Sequence, residues 1–159
     1  MGDHSGRTAA PLVVLPGEAG TESMPDGAFE LLADGGAVSA SRLTLATGAD
    51  GAPPHHHKLS HETFYVLDGT VVFRLGDSLT TVGKGGLVVV PPGLDHAFGA
   101  VEGETADMVI LLSPGIERFA YFAQLAAISR GEEEFASLLP VQDRFDVHLV
   151  DVPDWRTAP

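Results

Sequence analysis

Short apolar runs at regular spacing, each ended by turn residues, are the feature that most restricts how this 159-residue chain can fold. Gly, Pro and Asp-Gly pairs stand at the breaks, where Gly supplies positive φ and Pro holds φ at a turn corner. Evenly spaced short strands with turn signals between them predict an all-β sandwich or barrel. The predicted strands cover residues 12–15, 29–33, 38–46, 62–67, 71–75, 79–82, 87–90, 96–98 and 108–112.

The pattern changes after residue 113. Apolar residues then recur at helical spacing, at Ile116, Phe119, Ala120, Ala123 and Ala127. This spacing predicts a helix over residues 116–130 and a second, short helix over 132–139 that Pro140 ends. Residues 141–155 are ambiguous. We therefore expect a disordered N-terminus at 1–10, one barrel at 11–113, and a helical extension at 114–159 packed on the barrel.

Composition and charge exclude several classes of function. The sequence has no cysteine, which rules out disulfides, thiolate metal sites and cysteine nucleophiles. Its formal net charge of −13 repels phosphate backbones and anionic lipid headgroups, so we expect neither a nucleic-acid nor a membrane partner. The N-terminus lacks the apolar run of a signal peptide, and the apolar runs elsewhere are strand-sized. We expect a cytoplasmic protein.

Histidines are concentrated in one part of the chain, where five of the seven lie between residues 55 and 96. His55 and His57 are two residues apart, so in an extended strand their side chains point to the same face and can reach one ion. Glu62 begins the next apolar run and can add a carboxylate from a neighbouring strand. His96 follows a Pro-x-Gly turn and offers a fourth ligand.

Two segments carry a family resemblance. Residues 55–69 match H-x-H-x4-E-x6-G and residues 85–96 match G-x5-P-x-G-x2-H, and these resemble the first and second motifs of the cupins. Two customary positions differ, with Ala49 in place of a glycine and Ala100 in place of an asparagine. The resemblance implies an antiparallel cupin jelly-roll barrel that binds a metal inside its mouth through His55, His57, Glu62 and His96.

Three imidazoles and one carboxylate suit a divalent Fe, Ni, Mn, Co, Cu or Zn ion, and ligand type alone does not choose among them. One or two coordination positions stay open, as in catalytic sites. His56 alternates away from its two neighbours. His61 is expected to point opposite to Glu62, although a one-residue shift of register would turn it inward. His4 and His148 receive no role.

Strand alternation also predicts the barrel interior. Phe64 and Val66 share the face of Glu62, Phe98 shares that of His96, and Phe73 lies on another one-sided apolar stretch. These four residues either line a substrate pocket beside the metal or simply fill the core. The opposite face, with Thr63, Tyr65 and Leu67, is also largely apolar and needs a cover, and we favour a homodimer.

Residues 61–69 followed by a helical tail are similar to single-domain quercetin-dioxygenase-like cupins of bacteria. This resemblance implies a metal-dependent dioxygenase that acts on an enolisable aromatic, flavonol-like or other small hydrophobic organic substrate. Glu62 would be the catalytic base, a role that a raised pKa would favour.

Two further hypotheses stay open. The first is a non-redox isomerase or polyketide-type cyclase that uses the ion as a Lewis acid. The second is a cupin that binds a small molecule without turnover. Residues 116–139 either close the barrel mouth or pack on its outer face.

Overall fold

Residues 9–157, the part of the chain that the computed structural model describes, form ten strands and two α-helices joined by tight turns. The strands are β1 (Gly20–Met24), β2 (Gly27–Ala33), β3 (Ser39–Leu45), β4 (Asp50–His56), β5 (His61–Leu75), β6 (Ser78–Gly83), β7 (Leu87–Val90), β8 (His96–Ala100), β9 (Ala106–Ser113) and β10 (His148–Leu149). The helices are α1 (Phe119–Ser129) and α2 (Gln142–Phe145), with a 3₁₀ helix at Phe135–Val141 between them.

The strands make two antiparallel sheets that share β5. The first sheet has the order β1-β2-β3-β9-β5, with β7 on the other side of β5. The second has the order β5-β8-β4-β10, with β6 beside β5. The sheets curl into the antiparallel cupin jelly roll, which confirms the predicted fold class.

One long strand lets both sheets share a single core. The sequence predicts two strands separated by a turn at Asp68-Gly69, but β5 runs unbroken through this point. Its pairing with β9 shifts between Val66 and Asp68, and such a bulge increases the local twist. Gly69 has φ +72°, and a Cβ there would lie 2.0 Å from the Thr105 carbonyl oxygen. A glycine is therefore required for close backbone approach, and the strand bends there instead of ending.

One predicted strand is absent, and two strands are present that the sequence did not predict. Residues 12–15 do not form a strand; Leu12 and Leu15 are 68% and 56% exposed, since no neighbouring strand pairs with them. The unpredicted β1 is polar in sequence and forms only because it pairs with β2. The unpredicted β4 includes Asp50-Gly51, which the sequence suggests is a turn. It pairs irregularly with β8, with register shifts around the residues preceding His55.

Alternation along β5 places the core. Phe64 and Val66 are fully buried, whereas Tyr65 between them is 44% exposed. The Phe64 ring packs edge-on against Phe73 and Phe98, with centroid distances of 5.1 and 4.9 Å. Each such ring stabilises the barrel by about 1.5–3 kcal/mol through burial. The barrel interior below the site is thus filled with side chains.

The C-terminal segment packs on the barrel. The helix predicted over 116–130 is present as α1, whose Phe122 ring stacks on Phe29 of β2 at 4.3 Å. The second predicted helix is instead a 3₁₀ helix that starts later and contains Pro140 rather than ending at it. The chain then returns through α2 and adds β10 to β4.

Two further points concern the chain as a whole. The disorder predicted over residues 1–10 falls largely on residues 1–8, outside the described range. Within residues 9–157, no helix is both long and apolar enough to cross a membrane.

Candidate metal centre

Three neighbouring strands bring the four predicted ligands together. His55 lies on β4 directly opposite His96 on β8, so their side chains share one face. His57 follows the last residue of β4, and Glu62 is the second residue of β5. One nitrogen or oxygen from each of the four buried side chains lies within 4.8 Å of every other.

The carboxylate is the centre of this cluster. Glu62 Oε2 lies 2.7 Å from His57 Nε2, 2.8 Å from His96 Nε2 and 3.9 Å from His55 Nε2. The rings of His55 and His96 are 4.3 Å apart between centroids. All three imidazoles therefore direct the same nitrogen, Nε2, towards one point.

Backbone carbonyls hold the other nitrogen of each ring. Nδ1 lies 2.7 Å from the Pro53 oxygen in His55, 2.6 Å from the Asp146 oxygen in His57 and 2.8 Å from the Leu94 oxygen in His96. A carbonyl can only accept, so each Nδ1 carries the proton and donates it. The Nε2 lone pairs then point inward, which is the tautomer and the outer hydrogen-bonding pattern of metal-bound histidine.

This donor set fits a divalent cation. Three lone pairs and a carboxylate that converge in a buried space repel one another unless protons or a cation lie between them. Carboxylate and neutral imidazole are ligands of transition ions, and none of the four side chains needs to leave its place to face such an ion. The cluster is therefore compatible with the metal ion that cupins typically hold.

The same contacts perturb the titration of the cluster. Burial lowers the pKa of His55 well below its usual value, and the nearby His96 and His57 lower it further. Burial acts to lower the pKa of His96, but its hydrogen bond to Glu62 and the carboxylate charge outweigh burial and raise it. Burial acts to raise the pKa of Glu62, yet His57 and His96 outweigh it and hold that pKa well below its usual range. The raised Glu62 pKa that would favour a base is thus not present.

Asp146 is a site residue that sequence analysis missed. It adopts left-handed φ of 52° at the end of α2, with only 3% of its surface exposed. Its carboxylate accepts hydrogen bonds from the backbone N–H groups of Lys58 and Leu59 at 2.7 and 3.0 Å, while its carbonyl accepts from His57. The C-terminal segment therefore orients a ring of the ligand cluster that lies 89 residues earlier. No spacing in the sequence signals this contact.

A cavity of about 40 Å³ lies beside the cluster and is reached by His55 and Glu62. Such a volume holds a few water molecules. Of the predicted pocket residues, Phe98 lines the cavity, whereas Phe64, Val66 and Phe73 lie in the filled core and do not line it. The other walls are largely apolar and include Phe29, Ile110 and Leu112.

Helix α1 forms one wall of this cavity, through Arg118 at its N-terminal end and Tyr121, Phe122 and Leu125 within it. Of the two placements that the sequence left open for the helical segment, α1 takes the one at the barrel mouth. Arg118 and Tyr121 were not predicted as site residues. The sequence pattern that could have indicated them is a pair of polar residues three positions apart on an otherwise apolar helix face.

The remaining histidines within the described range lie outside the cluster. His56 Nδ1 is 2.9 Å from Asp95 Oδ1, and its ring stacks on His148 at 5.3 Å. His61 is exposed. None of these three histidines belongs to the group of converging ligand atoms. His4 lies outside the described residues.

Comparison with known proteins agrees with this geometry. Residues 41–113 match the family model described as a cupin domain. A search of curated proteins finds no match.

Solved structures share the fold. An RmlC-like cupin from Shewanella frigidimarina is 19% identical with a TM-score of 0.61, over 69% of this chain and 96% of its own. The polyketide cyclase RemF from Streptomyces resistomycificus is 22% identical with a TM-score of 0.56, over 66% and 80%. The nucleoside dehydratase Pac13 of Streptomyces is 19% identical with a TM-score of 0.55, over 70% and 87%. These likenesses show the fold that the chain shares with these proteins, and the cupin-domain match covers residues 41–113.

Proposed function

We propose that this chain is a metal-dependent enzyme that acts on a small organic substrate, with dioxygenation of an enolisable compound as its first candidate reaction. One observation carries the proposal: the four converging ligand atoms lie beside a cavity with largely apolar walls, which helix α1 borders. A ligand cluster that faces a cavity, and so leaves a coordination position open towards it, is the arrangement of a catalytic metal site.

The residues divide into distinct roles. His55, His57, His96 and Glu62 would hold one divalent Fe, Ni, Mn, Co, Cu or Zn ion. When bound, such an ion would supply positive charge and an open coordination position for an oxygen atom of the substrate. Glu62 lines the cavity and would be the carboxylate that accepts a proton from a substrate hydroxyl. The apolar walls exclude bulk water from the reacting atoms.

A non-redox isomerase or cyclase is the second candidate, and a specific pair of side chains favours it. Arg118 and Tyr121 place a positive charge and a phenolic hydroxyl in the cavity wall, where both can stabilise negative charge that develops on a substrate oxygen. Burial raises the pKa of Tyr121 to about 12, so its hydroxyl keeps its proton and donates. Proteins with a similar fold include a polyketide cyclase and a nucleoside dehydratase.

Elemental analysis of the purified protein without an affinity tag is the first test. We expect about one equivalent of metal in the wild type, loss of that metal in His96→Ala, and retention in His61→Ala. The last variant is the matched control, since His61 is an exposed histidine outside the cluster. Absence of metal from the wild type after reconstitution, or full occupancy in His96→Ala, would contradict the site.

The identity of the metal directs the activity assay. Iron, nickel, manganese, cobalt or copper leads to oxygen-uptake measurements with enolisable aromatic substrates, and consumption of dioxygen with such a substrate supports the dioxygenase. Zinc, or turnover without dioxygen, supports the isomerase or cyclase. Tight small-molecule binding with no turnover under either condition would mean that the chain is a binding protein.

We also propose that the chain forms a homodimer through the outer face of the first sheet. Tyr65 on β5 pairs with Leu87 on β7, next to Val89, and these side chains are 44%, 60% and 52% exposed. Adjacent exposed apolar side chains on the outer face of a sheet are typical of an interface. Leu87→Asp is expected to shift the mass measured by light scattering to that of a monomer. Leu139→Asp, at an apolar residue 54% exposed elsewhere, should not.

A further inference from the structure

Arg118 is a buried cation that forms no salt bridge with a carboxylate of the described residues. Only 5% of its surface is exposed. Within the described residues its Nε–H has no hydrogen-bond partner, and no carboxylate lies within 4 Å of its guanidinium. Nη2 lies 3.0 Å from His57 Nδ1 and 3.5 Å from the Asp146 carbonyl oxygen. A guanidinium stays protonated in proteins, so this positive charge persists despite burial.

The contact with His57 does not satisfy Arg118. His57 Nδ1 already donates to the Asp146 carbonyl at 2.6 Å, so it has no lone pair to offer a second donor. The Asp146 carboxylate forms no salt bridge with Arg118, because its oxygens accept from the Lys58 and Leu59 backbone N–H groups, although its negative charge is felt there. A buried charge with incomplete partners costs free energy that some ligand or function must offset.

The negative charges of Glu62 and Asp146 are both felt at Arg118. Without metal, these two carboxylates exceed the one guanidinium by one negative charge. With a divalent ion on the cluster, Glu62 is engaged by the metal and the cavity carries a net positive charge. An anion that enters the cavity would then restore the balance.

We propose that Arg118, assisted by Tyr121, binds a carboxylate group of the substrate in the cavity beside the metal cluster. The two residues lie three apart on α1, on one helix face, and the guanidinium is 5.7 Å from the centre of the Tyr121 ring. A planar guanidinium matches the two oxygens of a carboxylate. This inference rests on the proposed function in one respect, because the other end of the same substrate is the part that would reach the metal.

A carboxylate fits this cavity better than a phosphate. A phosphate needs several donors, and the N-terminus of a helix commonly supplies them. Here the backbone N–H groups of Arg118 and Phe119, at the start of α1, already donate to the Asp34 carboxylate. The remaining walls are mainly apolar, and the free volume of about 40 Å³ favours a small planar anion.

The test compares carboxylates with their neutral amides. Acetate and pyruvate are titrated into the zinc-loaded and the metal-free protein at constant ionic strength, each beside its amide, acetamide or pyruvamide. We expect each carboxylate to bind the zinc-loaded wild type at least about tenfold more tightly than its amide, as charge-assisted hydrogen bonds imply. The preference should disappear in Arg118→Met and be retained in Arg130→Met, which removes an exposed arginine just after α1.

A second measurement is made on the wild type and does not depend on the folding of Arg118→Met. The side-chain N–H resonance of Arg118 in ¹⁵N-labelled, zinc-loaded wild type should shift when a carboxylate is added and stay in place when the amide is added. The seven arginines of the chain give few enough signals for Arg118→Lys to identify the resonance. If Arg118→Met fails to fold, the shift of the Arg118 resonance by itself tests whether the carboxylate binds at Arg118.

Each outcome has one meaning. A carboxylate preference that persists in Arg118→Met, or an Arg118 resonance that does not move, would overturn the inference, since the anion would then bind the metal alone. Tighter binding of inorganic phosphate than of every carboxylate would also overturn it. Arg118-dependent carboxylate binding in a protein that takes up no metal would uphold the carboxylate site while the proposed metal function fails.

Discussion

Asp146→Ala should weaken both the fold and the metal site, because one residue supports both. The change leaves the N–H groups of Lys58 and Leu59 without their carboxylate acceptor. Each loss costs about 1–3 kcal/mol, and water can partly replace the acceptor at this half-exposed turn, so we take about 2–3 kcal/mol for the pair. Alanine at left-handed φ adds about 1 kcal/mol, since aspartate tolerates that region better.

The total is about 3–4 kcal/mol, which corresponds to a fall in Tm of about 10 °C for a chain of this size. The affinity for zinc should also fall about 10- to 100-fold, because the carbonyl that orients His57 is displaced. Urea denaturation followed by circular dichroism measures the free energy of unfolding, and titration calorimetry of the metal-free protein measures the affinity.

Asp154→Ala is the matched control. Asp154 has the same φ of 52° but is exposed, so its replacement should cost only the conformational term of about 1 kcal/mol and leave zinc affinity unchanged. Equal losses of stability in the two variants, or an Asp146→Ala protein that binds zinc like the wild type, would refute the role assigned to Asp146.

Three further predictions concern the site and the strand that carries Glu62. Because Glu62 raises the pKa of His96, the metal-free protein gains stability from the His96 proton at low pH and loses it as pH rises through that raised pKa. A metal ion must displace the His96 proton to bind, so the Kd for the metal should rise about tenfold for each pH unit below the pKa of His96. A Kd that calorimetry finds constant from pH 5.5 to 8 would contradict this competition. Glu62→Gln should keep a metal ion by elemental analysis but lose turnover that needs a proton acceptor, and an unchanged kcat would remove Glu62 from that role. Gly69→Ala should lower the free energy of unfolding in urea by more than about 2 kcal/mol, because its Cβ would meet the Thr105 carbonyl. Gly85 has a similar φ but open space around it, so Gly85→Ala should cost only about 1–2 kcal/mol. Equal costs in the two variants would contradict the close approach at Gly69.

The strand pattern and the ligand set are readable from sequence because they depend on local geometry. Alternation along an extended chain puts His55 and His57 on one face and puts Glu62, Phe64 and Val66 on another, and the structure has these orientations. Local patterns failed where pairing with a distant strand decides the outcome. The polar β1 becomes a strand through β2, and β5 continues past Asp68-Gly69 because β9 and β8 pair with its two halves.

The sequence by itself therefore determined the class of fold, the four converging ligands and the helix after the barrel. Only the tertiary structure decided that α1 borders the cavity, that Asp146 holds His57, and that Arg118 lies buried beside the cluster with an Nε–H that has no partner among the described residues. The physical reason is that periodicity describes the faces of one element at a time. Which faces meet depends on how the C-terminal segment packs against residues that lie 60 to 90 positions earlier in the chain. Arg118 and Asp146 become buried beside the ligand cluster only through that packing.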